Sequence, residues 1–261
     1  MEIRKIIIIY TFSPFPGGDA NANRLLGYAL SMKEAGYRVI VLTNAIPRES
    51  DYINEKYEYK GIEYRSYYVE GLGKVRRVFH RNNIGAILDS LLTQDEQENI
   101  CVVCSSYRNY GFYLHLYLLY KRIPAIVDVT EWHSSFQFKY GKLNLNYIWH
   151  SFKNRYLIPR AKNVLCISKY LEKHYKKAGC NTLYLPPQII IDDYLKHKTP
   201  KIPPVRFFYA GTMLKKDFII VALKGFGLLS EDEKSLIHCT IAGCDESDFR
   251  KQLPEGDQII N

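Results

Sequence analysis

The sequence predicts an α/β fold built on a mainly parallel β-sheet with helices on both faces. Strand-like apolar runs alternate with helix-like segments from residue 4 to residue 185, which is typical of successive strand–helix–strand units. The first run, 4–11, is rich in isoleucine and does not alternate with polar residues, so we expect a strand buried on both faces. A charged stretch with prolines at both ends, 186–204, then separates this region from a second, shorter strand–helix–strand segment.

A glycine-containing loop follows the first strand. Gly17 and Gly18 lie just before a helix whose apolar residues recur at spacings of three and four, from Ala22 to Leu30. The G-x-G-x-x-G spacing of a dinucleotide site is absent. Two interpretations stay open: the glycines only make a turn, or they let a ligand approach the backbone at a helix N-terminus.

The rest of the first region continues the same alternation. The segment 47–59 is polar and is predicted to be a loop, and the basic segment 71–83 is either a solvated surface or a ligand patch. We predict strands at Arg38–Thr43, 62–69, Ile100–Ser105, Ala125–Val129, 163–167 and 182–185, and helices at 84–92, 110–120 and 169–178.

Three ionisable residues cluster at the end of the strand Ala125–Val129. They are Asp128, Glu131 and His133. Ligands of open α/β sheets bind outside the carboxyl ends of the strands, so this cluster is a candidate for the edge of a site. The alternative is that these side chains are structural.

The segment 134–160 mixes seven aromatic residues with five lysines and arginines. It is either a helix with a buried aromatic face or a surface that docks on an anionic membrane or a lipid-linked substrate. Of the two, we expect the buried face.

The second region begins with an apolar run, Val205–Ala210, that predicts a buried strand. Gly211 and Thr212 end this strand, Lys215 and Lys216 follow, and Asp217 can cap the next helix. A glycine turn, two ammonium groups and a helix N-terminus together suit a diphosphate. Further on, we predict a helix at 217–229, a strand at 236–242, a helix at 247–253 and the start of another strand at 258–261.

The composition is that of a globular protein, 47% hydrophobic and 24% charged. The net charge of +9 suits nucleic acid, an anionic membrane face or an anionic small substrate. We do not expect nucleic acid, because no compact basic motif is visible. The apolar runs fall well short of the roughly 20 residues that span a bilayer, and the N-terminal stretch is shorter than a signal peptide. We therefore expect a cytoplasmic protein.

Taken in order, these motifs resemble the retaining GT-B glycosyltransferases of family 4 type, known as glycosyl transferases group 1, with a glycosyltransferase-4-like N-terminal domain. The segments that carry the resemblance are the Gly17-Gly18 loop with its helix, Gly36-Tyr-Arg-Val, 128–132, Ile167-Ser168-Lys169, Leu185-Pro-Pro and 208–217.

The resemblance implies an acceptor-side Rossmann-like domain at 1–187, a linker at 188–204 and an incomplete Rossmann-like donor domain at 205–261. Gly17 and Gly18 would line the acceptor side, and Asp128, Glu131 and His133 would contact the acceptor as catalytic residues. Gly211, Thr212 and Lys216 would hold the donor diphosphate, with Thr212 standing where the family usually has an arginine. Because no convincing D-x-D motif is present, no metal and no cofactor is expected, and the nucleotide-sugar is a substrate.

The implied function is sugar transfer from a nucleotide-sugar to a saccharide or lipid-linked acceptor in bacterial surface polysaccharide biosynthesis, of capsule or lipopolysaccharide. Such an enzyme would be cytoplasmic and could be peripheral on the inner face of the membrane. The family's downstream pair of glutamates is missing, so the chain is either cut short or completed by a second polypeptide, and its activity by itself stays open. The alternative is a non-catalytic acceptor-binding or scaffold subunit that a separate donor-domain protein completes.

Overall fold

The computed structural model of the chain describes residues 5–43, 56–67, 84–92, 99–105, 110–188, 204–211 and 219–243. It divides the chain into two units, Met1–Ile191 and Asp192–Asn261, and each is described by itself. The predictions for the basic segment 71–83, for Thr212 and Lys216, for the helix at 247–253 and for a strand at 258–261 lie outside the described residues.

An eight-stranded sheet forms the centre of the first unit. Its strands are β1 (Ile6–Thr11), β2 (Arg38–Thr43), β3 (Tyr57–Tyr59), β4 (Ile62–Ser66), β5 (Ile100–Ser105), β6 (Ala125–Val129), β7 (Asn163–Cys166) and β8 (Asn181–Tyr184). They lie in the order β3-β4-β2-β1-β5-β6-β7-β8. Every neighbouring pair is parallel except β3 with β4. The predicted fold class, a Rossmann-type and mainly parallel sheet, is confirmed.

Five α-helices are described in this unit: α1 (Ala20–Glu34), α2 (Ile84–Leu91), α3 (Phe112–Tyr120), α4 (Leu145–Phe152) and α5 (Lys169–Lys177). Helix α1 begins after Asp19, whose carboxylate accepts the backbone N–H of Ala22 at 2.7 Å. Ser168 caps α5 in the same way by accepting the N–H of Leu171. Helix α4 continues into a π-helical turn, Lys153–Leu157, and a 3-10 turn, Ile158–Ala161.

The core explains why the isoleucine run does not alternate. Successive side chains of a strand point to opposite faces of the sheet. Ile8 belongs to the apolar cluster on one face and Ile9 to the cluster on the other, and neither is exposed at all. Both faces of β1 are therefore covered, as predicted.

Two sequence-based expectations for the first unit are wrong. The segment 47–59 was expected to be a loop, but Tyr57–Tyr59 forms β3, which pairs with β4 through a hairpin whose turn residues, Lys60 and Gly61, both have positive φ. The aromatic face of α4 was expected to be buried, but Trp149 and Phe152 are exposed. The reason is that hydrogen bonds hold the opposite face of α4 and the turn after it against α5 and the segment that follows β6.

The second unit contains, within its described residues, the strands β9 (Val205–Ala210) and β10 (Ile237–Ala242), which pair in parallel, and the helices α6 (Ile219–Gly227) and α7 (Glu231–Ser235). The strand at Val205–Ala210 is confirmed, but its predicted burial is wrong, since five of its six residues are exposed. Leu223 of α6 is the buried residue of the apolar cluster there, and Tyr209 of β9 packs against it. Within the described part of the unit, this contact leaves most of β9 exposed.

Candidate functional site

The strand order places a topological switch point beside β1. The chain passes from β1 to β2 on one side, and β5 later pairs with β1 on the other side. Crevices at the carboxyl ends of such strands are where open α/β sheets bind ligands. The groups that follow β1, β5, β6 and β7 lie at this edge of the sheet.

Hydrogen bonds fix the glycine loop at this switch point. The Asn21 side-chain amide donates to the hydroxyl oxygens of Ser13, at 2.8 Å, and Ser105, at 2.9 Å, which joins the loop and α1 to the end of β5. The Thr43 hydroxyl at the end of β2 donates to the carbonyl oxygen of Ser13 at 2.7 Å. The loop is thus anchored to both strands that flank β1.

The two glycines of this loop differ in what they require. Gly18 has a φ of 134°, a backbone conformation that favours glycine and explains the turn. A Cβ added at Gly17 would meet no atom within 4 Å, so open space lies beside its backbone. The backbone conformation of the turn explains why residue 18 is a glycine. Binding of an acceptor beside Gly17 and Gly18 stays a prediction.

Asp128 is held by an arginine that sequence reasoning missed. Arg24 of α1 donates from Nε and Nη2 to the two carboxylate oxygens of Asp128, both at 2.9 Å, and from Nη1 to the carbonyl oxygens of Leu185 and Pro186. The Asp128 side chain is not exposed at all. Burial raises the pKa of Asp128, and the Arg24 guanidinium opposes that rise.

This ion pair corrects the role expected for Asp128. A carboxylate that is fully buried and bound by a guanidinium in two places does not reach an acceptor. Its role in the structure is to join β6, α1 and the chain that follows β8. The sequence feature that could have revealed this ion pair is Arg24 itself, a charged residue close to the apolar positions Ala22 and Leu25 of α1.

Glu131 and His133 form a pair just beyond β6. Their Oε2 and Nε2 atoms lie 3.0 Å apart, and the Glu131 side chain is 45% exposed. On the other side of the ring, His133 Nδ1 lies 2.9 Å from Gln137 Oε1. The His133 backbone N–H donates to His150 Nε2 at 3.0 Å. The imidazole is therefore positioned by Gln137 at Nδ1, and the partly exposed Glu131 carboxylate lies beside its Nε2.

A cavity of about 550 Å³ opens at this pair, between the ends of β6 and β7. It combines hydroxyl groups with flat aromatic rings, a lining that can pack against the C–H face of a sugar and hydrogen-bond its hydroxyls. The lining residues are Thr130, Trp132, His133, Ser134, Ser135, Tyr147, Ile167, Ser168, Tyr170 and Leu171. Of these, the sequence had pointed only to His133 as a site residue, because the others come from three separate segments.

The ring of Trp132 packs edge-to-face against the ring of His174 of α5, and their centroids lie 4.5 Å apart. Burial, and then the charge of Arg155, lower the pKa of His174 below its ordinary 6.5. Burial and the charge of Arg160 do the same for His115, which lies in α3. Both histidines are therefore neutral in the folded chain at a pH where unfolded histidine takes up protons.

We expect acidification to destabilise the folded chain for this reason. Stability from a histidine with a lowered pKa is fully present above pH 6.5 and is lost as the pH falls through that value, because the unfolded chain then binds more protons. The melting temperature should fall between neutral pH and about pH 5.5, a range above the ordinary carboxylate pKa values. A His174→Gln variant should show a smaller fall, and an unchanged fall would contradict the assignment.

The donor-side residues are described only in part. The Gly211 backbone N–H donates to the Ala242 carbonyl oxygen at 3.0 Å, at the carboxyl ends of β9 and β10. A Cβ added at Gly243 would lie 2.9 Å from the carbonyl oxygen of Gly211, so the two backbones pass too closely for a side chain. Diphosphate binding by Gly211, Thr212 and Lys216 stays a prediction.

No group of three or more His, Cys, Asp or Glu side chains that could hold a metal ion occurs within the described ranges. In the same part of the chain, no helix is long and apolar enough to cross a bilayer. The expectation that transfer requires neither a metal nor a cofactor stays a prediction.

Comparison with known proteins finds similarity in structure. No family model and no curated protein matches the sequence. An E. coli structure described as trehalose-6-phosphate bound with UDP-2-fluoro glucose matches 93% of this chain with a TM-score of 0.61 at 10% identity. WaaG, a glycosyltransferase involved in lipopolysaccharide biosynthesis, matches 94% with a TM-score of 0.58 at 13% identity. Arabidopsis thaliana UGT89C1, complexed with UDP-L-rhamnose, matches 99% with a TM-score of 0.53 at 10% identity.

The chain has the fold of the GT-B glycosyltransferases. It spans 66%, 65% and 68% of the lengths of these three structures. At identities of 10% to 13%, the similarity establishes the fold alone.

Proposed function

We propose that this chain is a retaining, family 4-type glycosyltransferase that moves a sugar from a nucleotide-sugar to a saccharide or lipid-linked acceptor. The observation that carries the proposal is the cavity at the ends of β6 and β7, with His133 in its lining and the Glu131 carboxylate 3.0 Å from His133 Nε2. The bound UDP-sugars of two structural neighbours support a nucleotide-sugar donor. The description of WaaG supports a role in bacterial surface polysaccharide assembly. We place this activity at the cytoplasmic face of a membrane as part of the proposal.

The acceptor occupies the cavity. Trp132 and Tyr170 pack against the faces of its sugar ring, and the hydroxyls of Ser134 and Ser135 bind its hydroxyl groups. The Glu131 carboxylate accepts a hydrogen bond from the reacting hydroxyl, which raises the nucleophilicity of that oxygen. His133, 3.0 Å from the carboxylate, fixes where that carboxylate points.

The donor diphosphate is held by Lys216 with the Gly211 turn and Thr212. Cleavage of the bond between sugar and diphosphate leaves negative charge on a phosphate oxygen. A fixed ammonium group at that oxygen stabilises the transition state more than the ground state. The nucleotide-sugar is a substrate in this scheme, and no cofactor takes part.

A nucleotide-release assay tests the proposal. We expect the purified chain, supplied with UDP-, GDP- and ADP-sugars and a bacterial glycolipid extract, to release nucleoside diphosphate from one of the donors. Lys216→Ala should lower the rate by roughly 100-fold, the cost of losing a group that stabilises the leaving charge. Lys224→Ala, which changes an exposed lysine of α6, is the matched control and should change the rate little. Equal losses in the two variants would contradict the assignment of Lys216.

A second candidate is a non-catalytic acceptor-binding or scaffold subunit that a separate donor-domain protein completes. It is favoured by the exposure of β9, an apolar strand that a complete domain would bury on both faces. This candidate predicts no nucleotide release by the purified chain and release on addition of the missing protein. Release by the chain alone would dismiss it.

A further inference from the structure

Helix α4 and the turn after it carry an apolar stripe on their solvent side. The stripe consists of Leu145, Ile148, Trp149, Phe152 and Tyr156, at spacings of three and four that place them on one side of a helix. These side chains are from 43% to 80% exposed. The rings of Trp149 and Phe152 stack with centroids 5.6 Å apart, and Tyr156 lies 5.6 Å from Phe152. The stripe is therefore one continuous apolar surface.

The opposite side of the same helix is polar and buried. His150, Lys153 and Asn154 are at most 3% exposed. The Asn154 side chain accepts a hydrogen bond from the Tyr175 hydroxyl at 2.8 Å and donates to the His150 carbonyl oxygen at 2.9 Å. This orientation is the reverse of an ordinary surface helix, whose apolar side faces the core. The hydrogen bonds hold the helix in the reversed orientation, so the stripe cannot turn inward.

The surroundings of the stripe are apolar and basic. Phe136, Tyr140 and Leu143, which precede α4, are also exposed. From residue 134 to residue 171 the sequence contains seven lysines and arginines and no aspartate or glutamate. Lys139, Lys142, Arg155, Arg160, Lys162 and Lys169 are exposed. An apolar surface within a field of positive charge is complementary to a phase that is both apolar and anionic.

We propose that the stripe docks on an anionic lipid bilayer. Leu145, Ile148 and Phe152 enter the boundary between headgroups and acyl chains, and Trp149 and Tyr156 lie at headgroup depth, where such rings are favoured. Lys139, Lys142 and Arg155 bind the anionic headgroups. A soluble polyanion would account for the cations and would leave the aliphatic side chains in water, so the bilayer is the better match.

The docked helix also reaches the cavity. Tyr147, between stripe residues on α4, lines it, and His150 on the inner side accepts the His133 backbone N–H. A lipid-linked acceptor can therefore keep its tail in the bilayer while its sugar enters the cavity. This last step rests on the proposed function, whereas docking itself does not.

Vesicle binding of the whole chain tests the proposal. The protein has two tryptophans, so Trp132→Phe leaves Trp149 as the only tryptophan, a reporter within the stripe. On mixing with vesicles of phosphatidylethanolamine and phosphatidylglycerol, we expect its emission to shift to the blue and to be quenched by brominated acyl chains. Neutral vesicles of phosphatidylcholine should bind roughly 100-fold more weakly, because each of the three basic residues at the headgroups contributes about fivefold in affinity.

Two double variants distinguish binding through the stripe from nonspecific binding by other exposed apolar residues. Ile148→Glu with Phe152→Glu should weaken cosedimentation with the anionic vesicles by at least about tenfold, since charged side chains are costly in the bilayer. Tyr113→Glu with Leu119→Glu is the matched control, because these exposed apolar residues lie on α3, outside the stripe. It should bind like the wild type, and circular dichroism checks that both variants are folded.

Three results would overturn the proposal: no binding of the wild type to anionic vesicles, equal loss in both double variants, or binding that soluble heparin abolishes without any spectral shift of Trp149. The measurement contains no nucleotide-sugar. Failure to dock therefore leaves the transferase proposal intact, and docking without sugar transfer removes only the proposed function.

Discussion

Replacing Arg24 with alanine is expected to lower the free energy of unfolding of the first unit by about 3–5 kcal/mol, the usual cost of stranding one member of a buried ion pair. The substitution leaves the Asp128 carboxylate without its guanidinium at a site that is not exposed at all. It also removes the donors to the carbonyl oxygens of Leu185 and Pro186, so the chain after β8 loses its attachment to α1. Urea unfolding monitored by circular dichroism measures the loss.

A second substitution distinguishes a stranded charge from simple loss of packing. Arg24→Met combined with Asp128→Leu removes both charges and should recover most of the stability, because apolar pairs often replace buried ion pairs without loss. Arg38→Ala is the control: Arg38 is 39% exposed, and its partner Glu63 keeps Lys56 and Arg65 when Arg38 is removed. The loss should be no more than about 1 kcal/mol. A loss for Arg24→Ala as small as that of the control would contradict the role assigned to the pair.

Glu131→Gln is expected to lower kcat/KM for sugar transfer roughly 100-fold, the lower end of what a positioned general base contributes. The amide has almost the same shape as the carboxylate, so the cavity keeps its form while the group loses its negative charge. If Glu131 acts on the reacting hydroxyl, the loss should fall on kcat, with KM for the acceptor changing less.

The matched control for this substitution is Glu172→Gln. Glu172 is a carboxylate on α5 that is paired with Lys169 and Lys176, whereas Glu131 lies 3.0 Å from the cavity residue His133. We expect its removal to change kcat/KM by less than about twofold, because surface pairs of this kind contribute little. Equal effects of the two substitutions, or no effect of either, would remove Glu131 from the mechanism.

The sheet of the first unit could be predicted because its signals are local. The unbroken apolar run of β1 requires cover on both faces, and the glycine after α1 marks where that helix ends. Strand β3 was missed because three residues beside a Lys60–Gly61 turn become a strand only by pairing with β4. The burial expected for β9 failed because an apolar run shows that a strand can be buried, and not whether a layer covers it.

The candidate site was predicted only at the end of β6. Glu131 and His133 follow a recognisable strand, so their position at the carboxyl edge of the sheet could be inferred. Asp128 looked equivalent, yet its partner Arg24 is 104 residues away, a distance at which local patterns give no information. Helical spacing identified the aromatic residues of α4, but the side that faces inward is decided by Tyr175 of α5, Asn154 and His150, which meet only in the folded chain.

Transfer of a labelled sugar by the purified chain tests the central claim most directly. The chain is incubated with radiolabelled nucleotide-sugars and a bacterial glycolipid extract, and label in the lipid fraction is counted for the wild type, Glu131→Gln and Glu172→Gln. We expect label to move from one nucleotide-sugar in the wild type and the Glu172 control, and to fall to about one hundredth in Glu131→Gln. Transfer at the same rate by all three proteins would contradict a site at the ends of β6 and β7.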